Sequence, residues 1–153
     1  MRYILFISFF SLTFLLQAQR IEIDRLERDF RGSLRSREAY ELSQKFIQID
    51  STYYTGHYFE GIYRFLRASD LLGYQLAIKP LQKGLNLMEK DFPGKLRRVK
   101  DIQPYIGVYE LQHKYAILCD LLIRSYSHVG ELDKSIAITR KLIDKRFVYN
   151  WGV

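Results

Sequence analysis

The chain has 153 residues, 48% hydrophobic and 27% charged, which suits one domain or a short helical array and excludes a disordered tail. Its 24 Lys+Arg against 17 Asp+Glu give a formal charge of +7, but basic and acidic residues are interleaved at helical spacing, which argues against a nucleic-acid partner. The single cysteine, Cys119, excludes an intrachain disulfide, and only three prolines leave room for long helices.

Met1-Arg2 opens the chain, followed by the apolar run Tyr3–Leu16 and then Gln17-Ala18-Gln19, with the first acid at Glu22. A basic start, an apolar core and a small residue before a polar stretch are the marks of a secretory signal peptide, residues 1–18, with cleavage expected after Ala18. The exit is similar to that of bacterial export signals, so the expected location is the periplasm or cell envelope. The run is shorter than the ~20 residues of a spanning helix, which leaves an uncleaved anchor as the alternative.

Beyond it, apolar residues recur every three or four positions, the period of amphipathic helices, and strand-like alternation is absent. Ile23, Leu26 and Phe30 line a first short helix that stops near Gly32-Ser33. Ala39, Leu42, Phe46 and Ile49 line a second, ending at Asp50-Ser51-Thr52, a triplet that also offers caps for the third. The third runs through Tyr58, Ile62, Phe65 and Leu66 to about Leu72, where Gly73 is expected to break it. The fourth carries Ala77, Ile78, Leu81, Leu85 and Met88, with Pro80 assigned to its first turn because a deeper proline removes a hydrogen bond and clashes. Phe92-Pro93-Gly94 ends it, and residues 93–106 are the least regular stretch. A fifth helix with Leu111, Tyr115, Leu118, Leu122 and Tyr126 closes at Gly130, and a sixth holds Leu132, Ile136, Leu142 and Ile143. Short turns favour antiparallel hairpins, and such hairpins bury their apolar faces only by stacking. The expected fold is all-α, antiparallel helical hairpins stacked as a short α-solenoid over residues 19–147, followed by a tail, residues 148–153, that looks like the opening of a further helix.

One pattern is more particular. Ala77-Ile78-Lys79-Pro80-Leu81-Gln82-Lys83-Gly84-Leu85 reads small, apolar, two variable positions, bulky, two variable positions, small, apolar. The stretch from Ala39 to Ser51 follows it more loosely, with Phe46 in the second small slot. His57 and Gly61 follow at the spacing of the next first helix, and Leu122, Tyr126, Gly130 and Ser135 repeat the register later. In these positions the chain resembles tetratricopeptide (TPR) repeats over most of residues 34–147, in degenerate copies from which Glu60, Arg64 and Ile123 depart. The resemblance implies a TPR-like solenoid in which Ala39, Gly61, Ala77, Gly84 and Ser135 let neighbouring helices approach. It also implies that first-helix residues line a concave groove for a protein or peptide. Carried over residue by residue, this nominates Thr55, Tyr58, Ile62 and Phe65 in the middle hairpin and Asp120, Arg124 and Ser127 in the last. Tyr58, Ile62 and Phe65 read equally well as core, and Asp120 with Arg124, four apart, as a surface pair.

Lys95, Arg97, Arg98 and Lys100 form the one dense basic cluster, a candidate contact for anionic lipid, cell-wall polymer or an acidic protein. No Gly-rich phosphate loop, His-Glu-x-x-His or Gly-x-Ser-x-Gly occurs, and His57, His113 and His128 are scattered. Cys119 lies in the apolar run Tyr115–Ile123 and reads as core. The expectation is an exported scaffold for protein–protein interaction, with no catalytic residue, cofactor or metal. Binding to the envelope surface through residues 95–100 is the alternative.

Overall fold

Local chemistry sets several of the helix ends. The computed structural model describes the backbone of residues 2–96 and 106–145 and the side chains of 14–96 and 110–145. Its helices are α1 (Arg2–Asp29), α2 (Arg37–Ile49), α3 (Tyr54–Arg67), α4 (Leu71–Asp91), α5 (Ile106–His128) and α6 (Leu132–Asp144). No strand occurs among the described residues.

Ser36 caps α2, its Oγ accepting from Ala39 N–H at 3.2 Å. At the other end Asp50 turns the chain, its Oδ1 accepting from Thr52 N–H at 2.8 Å and from the Thr52 hydroxyl at 2.6 Å. That triplet makes the turn but does not cap α3, whose N-cap is Tyr53 without a side-chain bond. Gly130, with φ of 80°, closes α5 in the left-handed conformation that spares glycine a Cβ clash. Glu131 N–H then reaches back to Tyr126 C=O at 2.9 Å, a Schellman ending.

Three expectations are corrected. The first helix is not short, since α1 runs unbroken from Arg2 through Ala18 to Asp29. Gly73 does not break α3. That helix ends at Arg67, and Gly73 lies in the first turn of α4, donating its N–H to the capping Asp70 Oδ1 at 2.7 Å. Pro80 therefore stands well inside α4 rather than in its first turn. An interior proline costs about 3 kcal/mol. Packing holds α4 helical nonetheless, because Ala77, Pro80, Leu81, Gly84, Leu85 and Met88 form one continuous buried face.

From α2 to α6 each helix packs on the next as an antiparallel hairpin, and α3 also meets α5, giving a stacked helical array. Small side chains sit at the tightest crossings. Ala39 and Ala77 are fully buried, and at Gly61 a Cβ would stand 2.6 Å from Leu81 Cδ2. Ser135 lets α6 close on α5, its Oγ donating to Ile123 C=O at 3.2 Å. Phe46, Leu81, Leu85, Met88, Tyr115, Leu118, Cys119 and Leu122 make the fully buried centre of the core. On α6, Leu132, Ile136 and Ile143 are exposed along one stripe.

Candidate functional site

Residues three, four and seven apart share a helix face, so Arg20, Ile23, Asp24 and Glu27 of α1 point the same way, and Phe30, just past its end with its N–H on Leu26 C=O, continues that face. That face is set against the N-terminal halves of α3 and α5. Ile23 is fully buried, and the Phe30 ring meets Phe59 edge-on with centroids 5.7 Å apart. Arg20 bridges two loop-end carboxylates, its Nε 3.1 Å from Asp50 Oδ2 and its Nη2 3.1 Å from Asp91 Oδ2. Its guanidinium also lies 5.0 Å from the Tyr53 ring centroid, and the Tyr53 hydroxyl donates to Asp24 Oδ1 at 3.0 Å.

Lys114 of α5 is the centre of the cluster. Its Nζ is 2.6 Å from Glu27 Oε1 and 3.2 Å from Glu110 Oε1, with the Tyr54 and Tyr58 ring centroids at 5.8 and 5.9 Å. The Lys114 side chain is only 9% exposed. Burial by itself would push its ammonium down, but Glu27 and Glu110 outweigh that and hold it above the ordinary lysine value. Asp50 shows the same balance with opposite charge. Burial would raise it, yet the Thr52 bonds and Arg20 together hold it below the ordinary carboxylate value.

The docked face of α1 does not fill the space beside it. A cleft of about 240 Å³ opens between Asp24, Tyr53, Tyr54, Phe92 and Lys95. A second, of about 410 Å³, lies by Phe30, Gly32, Leu34, Tyr58 and Phe59. Glu27, Arg28, Glu110 and Lys114 line both.

The residues nominated from the sequence are placed differently. Thr55, Tyr58 and Ile62 are buried, and Tyr58 also lines the opening beside Phe30. Phe65 is partly buried, its ring edge-on to Tyr74 at 5.7 Å. Asp120 and Arg124 pair at 3.0 Å on the surface of α5, and the exposed Ser127 donates its hydroxyl to Ile123 C=O at 2.8 Å. Lys95 is exposed with its ammonium 5.5 Å from the Phe92 ring centroid, while Arg97, Arg98 and Lys100 lie outside the described residues, as does the tail 148–153.

Arg20, Asp24, Glu27, Tyr53 and Lys114 are not among the residues nominated from the sequence. A signal existed for the last: Lys114 falls three after Leu111 and four before Leu118, a charge on an otherwise apolar stripe. Cys119 is fully buried, and burial pushes its thiol up to about 12. His57 is buried with Nε2–H donating to Ser51 C=O at 3.0 Å, and burial lowers its pKa. Among the described residues no three His, Cys, Asp or Glu side chains are grouped to hold a metal ion, and no helix is long and apolar enough to cross a membrane. Compared with protein-family models, curated proteins and solved structures, the chain matches none.

Proposed function

We propose that the chain is an exported, TPR-like scaffold that holds another protein in the periplasm or at the cell envelope. The observation that supports this is the stacked array itself, whose α3–α5 face takes up a helix through paired charges and an aliphatic plug. Arrays of this build present extended recognition surfaces because each hairpin adds a new strip of side chains to a shared face. Ions at such a face select the partner, while apolar contact holds it.

The test is affinity capture of the full chain from envelope extracts at low and at screening salt, followed by mass spectrometry. One protein retained at both salts is the expected result. No protein above background, together with turnover on some substrate, overturns the scaffold reading. The second reading, contact with an anionic envelope surface, draws on the exposed Lys95 beside Phe92. It requires binding to anionic vesicles that disappears as salt screens the charges.

A further inference from the structure

The seat of α1 is open to solvent beside the Glu27–Lys114 contact, where surface clefts of about 240 and 410 Å³ flank it. The occupant is held by polar tethers at separate points, Arg20 to Asp50 and Asp91, Asp24 to Tyr53, and Glu27 to Lys114, with Ile23 as its one fully buried side chain. On the receiving side stand one buried cation, Lys114, and the aromatic rings of Tyr53, Tyr54, Tyr58 and Phe59. An aromatic wall with one lysine is complementary to a helix that presents an aliphatic residue and acids on one face.

We propose that the α3–α5 cleft is a receptor for a single amphipathic helix, that Arg20–Phe30 is its resident occupant in cis, and that the partner is a protein helix of matching chemistry. That chemistry is the one α1 displays: an aliphatic residue, acids one and four positions later, and an aromatic seven positions later, as in Ile23, Asp24, Glu27 and Phe30. The incoming acid replaces Glu27 on Lys114. The proposal rests on the scaffold reading and assigns its partner class. Because the cleft is occupied, the partner's apparent affinity is reduced by the fraction of chains in which α1 is seated.

The test uses the full chain and a fluorescent peptide of residues 18–31. In the wild-type chain the peptide competes with a tethered copy of itself, so binding is weak. A chain carrying Ile23→Asp and Glu27→Lys releases α1 and binds the peptide at least tenfold more tightly. Adding Lys114→Glu to that chain loses the gain, and a peptide with Glu27→Lys restores it by charge exchange. Helical circular dichroism and a cooperative melt establish that each chain is folded. Should Ile23→Asp fail that check, Arg20→Ala with Glu27→Lys removes only the polar tethers and serves instead. A folded, released chain that does not bind the peptide, or binds it regardless of Lys114→Glu, overturns the proposal. Envelope capture that succeeds while peptide binding fails removes this cleft alone. Peptide binding without any captured protein leaves the cleft and removes the scaffold.

Discussion

A Cβ added at Gly61 would sit 2.6 Å from Leu81 Cδ2 and 3.1 Å from the Leu81 backbone nitrogen, so α4 itself must give way. At Gly84 the nearest atoms, His57 Cβ, Leu118 Cδ1 and Tyr58 N, are all 3.5 Å away, an ordinary contact. The two glycines therefore respond with opposite sign. Gly61→Ala should destabilise by about 1–3 kcal/mol through overpacking. Gly84→Ala should stabilise by about 0.4–1 kcal/mol, because alanine loses less backbone freedom in a helix. Urea unfolding followed by circular dichroism measures both, and equal effects would contradict the geometry. The sequence pattern marked both positions as small and could not rank them, since rank depends on how close α3 and α4 come. Gly56, which the pattern omitted, is as tight as Gly61, with Ile47 Cγ1 at 2.7 Å from its added Cβ.

Titration acts at this scale too. His57 and Asp50 both have folded-state pKa values below their ordinary 6.5 and 3.8. Groups of that kind contribute stability that is present above the unfolded value and lost as pH falls through the folded one. The melting temperature should thus fall in two stages on acidification, the first starting below pH 6.5 and the second below pH 3.8. His57→Gln should remove the first stage, and Asp50→Asn the second. A melting temperature that keeps both stages in these variants would assign the acid sensitivity elsewhere.

At the scale of elements, α1 and α4 teach different lessons. For α4 the starting signal, Ser69-Asp70 ahead of Leu71, was present in the sequence, but the weight given to Pro80 moved the helix start past it. Tertiary burial overrides a proline when the face it lies on is continuous. For α1 the periodicity of Ile23, Leu26 and Phe30 was legible, while its seat was not, because that depends on ion pairs reaching across the fold to Asp50, Asp91 and Lys114. Ile23 is the element's plug and is fully buried. Ile23→Ala should remove about 2–5 kcal/mol of the energy that seats α1. Hydrogen exchange should then speed up along residues 20–29 while the amides of α3 and α5 keep their protection. Uniform acceleration through all helices would show instead that α1 is inseparable from the core.

For the whole molecule, the all-helical hairpin order was readable because amphipathic period and turn residues act locally and agree with one another. Which side chains the stacking covers was not readable, since Thr55, Tyr58 and Ile62 look the same in the sequence whether open or covered, and all three are buried. A residue list cannot say that an upstream helix covers one face of the array. In this arrangement α3 and α4 press together at Gly61 while α1 is seated beside α3 and α5. A nuclear Overhauser spectrum of the isotope-labelled chain tests it most directly. Strong cross-peaks are expected from Gly61 Hα to the Leu81 methyls and from the Phe30 ring to the Phe59 ring. A folded, helical protein lacking both sets, with Gly61 amide and α protons contacting only water and its own helix, would contradict it.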